Sequence, residues 1–345
     1  MSLVEREIRE QPAVLARLLG EGRRTVEAIA ARIRAFDPRF VVIAGRGSSD
    51  NAARYAQYLL GVRNRLPVAL ATPSLFTYYR SPPRLTAALV IGISQSGRSP
   101  DIVAVLAEGR RQGALTLALT NDPMSPLAQT AELVVPLLAG EERAVAATKT
   151  YTAQLFALAM LSVALDDESS GWSYLARVPQ AVERCLATNA DLAGRLDRFP
   201  SPDRLVVIGR GFNYATAFEI ALKLEETCSL VAEPYSSADF RHGPIALVEP
   251  GFSVVVVAPS GAVFADVADL VDELQALRAT LAVISDEQAV LTRAALAMPL
   301  PQGVPEWLSP IVAVVPGQLL AVALAHARGS DPDRPRGLRK VTETR

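Results

Sequence analysis

An internal repeat limits the possible folds of this chain more than any other feature of its sequence. Four segments recur at an offset of 164 residues: VVIAGRG (41–47) with LVVIGRG (205–211), SQSG (94–97) with APSG (258–261), TLALTND (116–122) with TLAVISD (280–286), and QLFALAML (154–161) with QLLAVALA (318–325). Matches at one offset are the signature of a duplicated structural unit. The sequence therefore predicts two copies of one fold.

Within each copy, short apolar strands alternate with helical segments. Strands are predicted near 40–46, 67–72, 88–94, 115–121 and 133–137, and again near 204–210, 253–258, 280–285 and 297–300. This alternation is typical of parallel strands joined by helical crossovers. The predicted fold class is α/β, with a sheet covered by helices on both faces in each copy.

The composition excludes several classes of protein. A net charge of −1 gives no electrostatic footprint for nucleic acid or an anionic membrane. The first residues, MSLVEREIREQP, lack the apolar core of a signal peptide, and we expect no apolar run to reach the length of a membrane span. We therefore expect a cytoplasmic protein without nucleic-acid or membrane partners.

Cysteine and histidine are too scarce for most cofactor sites. Cys185 and Cys228 are isolated, so neither a disulfide framework nor a metal-binding cysteine pair is indicated. With only two histidines as well, we expect no zinc site, no other metal and no cofactor.

The segment GISQSGRSPDI (92–102) joins a predicted strand to a predicted helix. Ser99 is placed to cap this helix, and Pro100 takes its first position. Such a turn offers backbone N–H groups to an anion, and Ser94 and Ser96 add hydroxyl donors. The hypothesis is a phosphate site. The alternative is a turn in which serine and glycine only shape the backbone.

Differences between the copies favour the phosphate site. The second copy has Ala258, Pro259 and Ser260 in place of the first copy's Ser94, Gln95 and Ser96, so most of the side-chain donors are missing there. A nucleotide P-loop is excluded because its lysine is absent. GRGSSD (45–50) lacks the third glycine of a dinucleotide site, and its Ser48 and Ser49 instead fit a sugar phosphate.

Three lysines stand among 35 basic residues, which makes their positions informative. Lys223 shares one predicted helix face with Glu219 and Glu226, by spacings of four and three residues. The alternative for this face is a solvated stripe of salt bridges. Lys340 lies in a tail that needs another surface to pack against, and His242 lies in a Gly-Pro loop.

Five motifs resemble one family: GRGSSDNA, SQSGRSPD, AVAATKTY, ALKLEETCSLVAEPYSSADFRHGP and PRGLRKVTET. They resemble the two sugar-isomerase (SIS) domains of glutamine–fructose-6-phosphate aminotransferase, and still more the stand-alone double-SIS proteins that include glucosamine-6-phosphate deaminases. The resemblance implies tandem flavodoxin-like three-layer sandwiches around mostly parallel five-stranded sheets. The implied domains are an N-terminal helical segment (1–36), two SIS domains (37–170 and 171–330) and a tail that closes the active site (331–345).

The resemblance also implies roles for residues. The implied phosphate ligands are Ser94, Gln95, Ser96, Ser99 and Ser49. Val145 to Thr148 would line the sugar. Ala147 stands where the aminotransferase has a serine. Glu226 would move a proton between C1 and C2 with support from Lys223. His242 would assist ring opening across a homodimer interface, and Lys340 would close the site.

The chain starts close to its first SIS domain and has no cysteine before Cys185, so we expect no glutaminase activity. The predicted reaction is conversion of glucosamine 6-phosphate to fructose 6-phosphate and ammonia. One alternative is an isomerase or deglycase acting on another phosphosugar or a phosphosugar–amine adduct. Another is a sugar-phosphate sensor without catalysis, against which the presence of Glu226, His242 and Lys340 argues.

Overall fold

The computed structural model describes residues 1–166, 169–199 and 201–340. The chain divides into two compact units. The first unit comprises Ala13–Arg143, Lys149–Arg177 and Arg339–Arg345, and the second comprises Met1–Pro12, Ala144–Thr148 and Val178–Leu338. Residues 341–345 of the expected tail lie outside the described residues, and the domain boundaries expected from the sequence stay predictions.

Two helices precede the first copy of the fold, α1 (Leu3–Arg9) and α2 (Gln11–Phe36). The first copy then runs in the order β1 (Phe40–Ala44), α3 (Ser48–Asn64), β2 (Val68–Leu70), α4 (Ser74–Thr77), β3 (Ala88–Ser94), α5 (Pro100–Arg111), β4 (Leu115–Thr120), α6 (Pro126–Thr130), β5 (Leu133–Pro136) and α7 (Lys149–Asp166). Its strands form one parallel sheet in the order β2-β1-β3-β4-β5.

Helices α8 (Ser169–Leu175) and α9 (Val178–Thr188) lead to the second copy. Its elements are β6 (Arg204–Gly209), α10 (Tyr214–Cys228), β7 (Val231–Ser236), α11 (Ser237–Arg241), β8 (Ser253–Val257), α12 (Phe264–Ala276), β9 (Thr280–Ser285), α13 (Gln288–Leu291), β10 (Leu296–Pro299) and α14 (Ser309–Ala327). The sheet order β10-β9-β8-β6-β7 repeats that of the first copy.

The two copies share even their strand register. Val42 of β1 pairs with Val90 of β3, and Val206 of β6 pairs with Val254 of β8, so both pairs keep the offset of the sequence repeat. All strand pairs are parallel, in the flavodoxin-like order. The predictions of a duplicated α/β fold and of two five-stranded sheets are confirmed.

Burial explains why the central strands are apolar at every position. All seven residues of β3 are buried, as expected for a parallel strand between two neighbours and two helical layers. Pro100 begins α5 as predicted. Ser99 occupies the capping position, but its side chain makes no capping hydrogen bond, which corrects that part of the prediction.

The sequence prediction missed strand β7. It lies at the edge of the second sheet, next to β6 alone, and it contains Pro234. Its first three residues alternate between exposed and buried, and its last three are half-buried. Proline cannot donate a hydrogen bond to a ladder, so it argues against a central strand and is tolerated at an edge.

The expectation that no apolar run reaches a membrane span was also wrong. Glu306–Ala327 has a mean hydropathy of 2.0 over its most apolar window and is long enough to cross a membrane. That window is completely buried within the protein. In the second unit, α14 packs against α9 and α10, so its all-round apolarity is that of a core helix.

Candidate active site

The serine loop, residues 94–99, leaves the carboxyl end of β3 in the first unit. The Ser94 hydroxyl accepts the N–H of Gly97 at 3.1 Å, and the Ser96 hydroxyl accepts the N–H of Arg98 at 3.3 Å. The N–H groups of Gly97 and Arg98 are therefore used within the loop. Each hydroxyl keeps its own proton, for which the described part of the chain provides no acceptor. The serine O–H groups are thus donors available to an anion.

Neighbouring elements fix the shape of this loop. Gly97 has a φ of +64°, and a Cβ atom there would lie 2.1 Å from the Ser125 Oγ atom. The Gly97 carbonyl accepts the N–H of Leu127 at 3.0 Å. The Gln95 carbonyl accepts the N–H of Asn121, directly after β4, at 3.1 Å. The loop therefore holds its hydroxyl groups in place before any ligand binds.

A second polar turn lies beside the serine loop, because β1 and β3 are neighbours and both turns follow carboxyl ends. Ser48 and Ser49 are the first two residues of α3. The Ser49 hydroxyl is buried and accepts from Nε2 of Gln154 at 3.0 Å. Arg46 joins the two turns, since its Nε and Nη2 atoms each lie 2.8 Å from Oδ2 of the fully buried Asp101 in α5.

The tail lysine also lies in the first unit. Lys340 donates to Oε2 of Glu142 at 2.7 Å, and the Glu142 side chain is completely buried. Thr150, in the first turn of α7, donates to the same carboxylate from its N–H at 3.1 Å and from its hydroxyl at 2.7 Å. Sequence analysis identified Lys340 and missed Glu142, for which the only signal was its position just before the AVAATKTY motif.

The charged face of α10 lies in the second unit. Lys223 is buried, with its Nζ atom 3.5 Å from Oε1 of Glu219 and in contact with Oε2 of Glu226. Glu219 is fully buried, whereas 22% of the Glu226 side chain is exposed. The prediction of one shared helix face is confirmed, and the alternative of a solvated stripe is wrong. The face has one accessible carboxylate, backed by an ammonium group that cannot reach bulk water.

A neighbouring carboxylate shows the electrostatics of this helix end. Burial raises the pKa of Glu225, and the nearby negative charges of Glu233 and Glu226 raise it further. Among the described residues, no ion pair joins Glu225 to the buried Lys223. It therefore serves as a natural comparison for Glu226.

His242 follows α11 in the second unit, and its side chain is exposed. The element before it is fixed by Asp266 of α12, whose carboxylate accepts from the Ser237 hydroxyl and, at 3.1 Å each, from Arg210 and Arg241. Sequence analysis missed Asp266. Its partners come from segments distant in the chain, so no local pattern marks it.

The remaining predicted sugar-binding residues, Val145, Ala147 and Thr148, form an irregular segment of the second unit. Val145 and Ala147 are half-buried, and Thr148 is buried. The N–H of Ala144 donates to the buried carboxylate of Glu7 in α1, at 3.2 Å to Oε2. The predicted site residues thus divide between the two units. The first unit contains the six predicted phosphate ligands (Ser48, Ser49, Ser94, Gln95, Ser96 and Ser99) and Lys340. The second unit contains Val145, Ala147, Thr148, Lys223, Glu226 and His242.

The second copy has a turn equivalent to the serine loop. Carboxylates from the same copy accept the hydrogen bonds that this turn donates. Ser260 donates to Asp286 from its N–H at 2.7 Å and from its hydroxyl at 2.6 Å. The N–H of Ala262 donates to Oε2 of Glu306 at 2.8 Å. A Cβ atom at Gly261 would lie 2.3 Å from Cδ of Glu306, so only glycine leaves room for this carboxylate. The donors that face an open loop in the first copy are already paired here.

Neither cysteine is suited to nucleophilic chemistry. Burial raises the pKa of Cys185 to about 12, and burial also raises the pKa of Cys228. Among residues 1–166, 169–199 and 201–340, no group of three or more His, Cys, Asp or Glu side chains is arranged to hold a metal ion.

Two flavodoxin-like sheets with polar turns at their carboxyl edges define an α/β protein whose turns lie where such sheets generally bind ligands. The chain belongs to the SIS-domain family, whose model matches residues 36–164 and 199–328. It is 34% identical over 358 residues to glutamine–fructose-6-phosphate aminotransferase (isomerizing) of Zymomonas mobilis. That alignment covers 98% of this chain and 58% of the relative, so the chain spans little more than half of that protein.

Solved structures extend the comparison to proteins of similar length. A candidate phosphosugar isomerase from Silicibacter pomeroyi is 37% identical and superimposes with a TM-score of 0.88, covering 96% of this chain and 100% of that one. Glucosamine-6-phosphate deaminase from Thermotoga maritima is 22% identical with a TM-score of 0.79, covering 99% of this chain and all of that one. The latter likeness shows the shared fold.

Proposed function

We propose that this protein is a phosphosugar isomerase that converts glucosamine 6-phosphate and water to fructose 6-phosphate and ammonia. The observation that carries the proposal is the charged face of α10. One partly exposed carboxylate, Glu226, contacts a buried ammonium group, Lys223, that a second buried carboxylate also holds. Such a carboxylate can accept and return a proton, and its geometry is set by its neighbours.

The serine loop supports a phosphorylated substrate. The hydroxyl oxygens of Ser94 and Ser96 accept hydrogen bonds from backbone N–H groups. Their hydroxyl protons stay available for an acceptor. Phosphate oxygens are strong acceptors, and charge-assisted hydrogen bonds from hydroxyl groups suit them. Gln95, Ser99, Ser48 and Ser49 are the further proposed ligands, with Val145, Ala147 and Thr148 along the sugar.

The proposed chemistry transfers one proton between adjacent carbons of the open-chain sugar. Glu226 removes the proton from C2 while the C1 carbonyl oxygen takes up a proton, which gives a C1–C2 enolamine. Glu226 then returns its proton to C1 while the amino nitrogen gives up a proton, so the net change moves one proton from C2 to C1 and one from nitrogen to O1. The product has a hydroxymethyl group at C1 and an imine at C2. Water adds to the imine carbon, and ammonia leaves to give the ketone of fructose 6-phosphate. Lys223 and Lys340 would stabilise negative charge that develops on oxygen.

The deaminating direction requires no ammonia donor from this chain. A glutaminase would need a reactive thiolate, and the only two cysteines, Cys185 and Cys228, are buried with raised pKa values. The Thermotoga maritima deaminase shares the fold of this chain. We further propose that the protein acts in the cytoplasm, as a homodimer.

The purified protein should release ammonia and fructose 6-phosphate in equal amounts from glucosamine 6-phosphate, with a chelator present and without glutamine. Free glucosamine should react far more slowly, because the phosphate contacts orient the reacting carbons. Deuterium from solvent should appear at C1 of the product. If a ketose forms without ammonia, the reaction is a simple isomerisation or a deglycation, and the proposed deamination is wrong. Tight binding with neither product nor deuterium exchange would identify a sensor.

The homodimer proposal assigns the exposed His242 to the active site of a second molecule. Mixing inactive Glu226→Gln and His242→Ala proteins tests this assignment. If His242 acts across the interface, one site in each mixed dimer has both intact residues, and activity returns to up to half of its normal value per mixed dimer. If His242 acts within its own molecule, mixing restores nothing, and the assignment is wrong.

A further inference from the structure

We propose that Glu142 is a latch that holds the C-terminal tail in its working position by binding Lys340, and that it is thereby a positioning residue for the proposed reaction. The inference rests on the proposed function only where it concerns catalysis. The docking of the tail itself is testable without any activity.

The contacts of Glu142 define the latch. Its carboxylate accepts hydrogen bonds from Lys340 at 2.7 Å, from the Thr150 hydroxyl at 2.7 Å, and from the Thr150 N–H at 3.1 Å. Thr150 is in the first turn of α7, where the helix dipole favours a negative charge. The carboxylate is therefore fixed in an orientation that leaves Oε2 toward the tail lysine.

Burial makes this ion pair matter more than one on the surface. The Glu142 side chain is completely buried, and 24% of the Lys340 side chain is exposed. A buried carboxylate that loses a cationic partner has less compensation for a charge that water solvates poorly. Undocking the tail would take Lys340 away from a carboxylate that stays poorly solvated, and this cost in free energy opposes undocking. In contrast, residues 336–339 around this lysine are all exposed, so Lys340 is the point at which this part of the tail is held.

The latch connects to the serine loop through a series of hydrogen bonds in the first unit. The side-chain amide of Asn121 donates to the Gly140 carbonyl, and its oxygen accepts the N–H of Ala139 at 2.9 Å. The backbone N–H of Asn121 donates to the Gln95 carbonyl at 3.1 Å. The segment that carries Glu142 is therefore tied to the loop proposed to bind phosphate, which places Lys340 relative to that loop.

The second copy shows that a carboxylate at this position need not hold a lysine. Glu306 is the equivalent of Glu142 at the repeat offset, and it accepts from the N–H of Ala262 in its own copy. The latch is thus a feature of the first copy alone, among the described residues.

A lysine-specific endoproteinase provides the direct test, because the chain has only three lysines. Lys149 and Lys223 are buried, so cleavage of the folded protein reports on Lys340. We expect Glu142→Gln to accelerate cleavage after Lys340 by about tenfold or more, since cleavage follows the population of the undocked tail and a hydrogen bond to a charged group is lost. The matched control is Glu141→Gln, which removes the exposed neighbouring carboxylate and should leave the rate unchanged.

The same digestion separates a latch from a general structural support. If Glu142→Gln merely destabilised the unit, Lys149 would be cleaved along with Lys340, and the proposal would be overturned. Cleavage at Lys340 at the unaltered rate would overturn it as well. The expected pattern is faster cleavage at Lys340 with Lys149 and Lys223 still resistant.

A double-mutant cycle tests the link to catalysis. If Glu142 acts through Lys340, Glu142→Gln lowers kcat in the normal background and has no further effect on kcat in a Lys340→Met background. Additive losses would overturn the positioning role. If the normal protein shows no activity while the digestion behaves as expected, the proposed function fails and the latch stands.

Discussion

The two copies of the fold differ in where they carry charged and hydroxyl side chains. On α10 of the second copy, Glu219, Lys223 and Glu226 form the charged face. At the repeat offset, α3 of the first copy has Tyr55, Leu59 and Val62 in their place. Tyr55 and Leu59 are fully buried. The first copy therefore has no acid–base group where the second has three charges.

The turn after the third strand of each copy shows the reverse. In the first copy, the Ser94 and Ser96 hydroxyl groups keep protons for a ligand. In the second, the N–H and O–H groups of Ser260 are both bound by Asp286. One fold thus leaves serine hydroxyl protons without a protein acceptor among the described residues in one copy and closes the equivalent turn in the other, because a few side chains differ while the backbone register is the same.

Removing the base from the second copy should have the largest effect. We expect Glu226→Gln to lower turnover by ~10²- to 10⁴-fold while phosphosugar binding persists, because the shape is kept and the proton acceptor is lost. Steady-state kinetics and a binding titration measure the two quantities. Glu225→Gln is the matched control and should keep near-normal turnover. If Glu226→Gln and Glu225→Gln are equally active, the charged face of α10 has a purely structural role.

Removing the donors from the first copy should have the next largest effect. Replacing Ser94 and Ser96 together by alanine should weaken phosphosugar binding by roughly 2–4 kcal/mol, since two charge-assisted hydrogen bonds are lost and water compensates in part. Calorimetric titration with phosphorylated and unphosphorylated sugars measures the difference. Ser260→Ala in the second copy is the control and should not change either affinity. A similar loss for both sugars would mean that the loop only supports the fold.

Opening the closed turn of the second copy should have a smaller effect, on stability. We expect Glu306→Gln to lower the free energy of unfolding by about 1–2 kcal/mol, because the Ala262 N–H loses a charged acceptor. Urea denaturation monitored by circular dichroism measures the change, and turnover should stay normal. A loss of turnover at unchanged stability would contradict the view that this turn has no ligand.

The smallest expected effect concerns Glu225 and depends on pH. Its pKa is raised in the folded protein, so its ionised form is less favourable there than in the unfolded chain. Glu225→Gln should therefore slightly raise the melting temperature above the raised pKa. The gain should vanish as the pH falls below the ordinary glutamate pKa, where both states are protonated. A gain that is constant with pH would show that ionisation is not its cause.

Sequence patterns predicted the elements that depend on local periodicity. The repeat predicted two copies of one fold, and the apolar runs located nine of the ten strands described here. The helical spacing of Glu219, Lys223 and Glu226 predicted that they share one face. Each of these features follows from the period of a strand or helix, which residues near in the chain reveal.

Only the tertiary structure decided which groups are paired, buried or open. Glu142 and Lys340 are 198 residues apart in the chain, so no local pattern connects them. The hydropathy of α14 fits a membrane span equally well, and only its burial within the second unit identifies a core helix. The Ser94 and Ser260 turns look similar as sequence, but Asp286 closes one of them. Burial and pairing depend on what the rest of the chain brings to a residue, and that information is not contained in its neighbours.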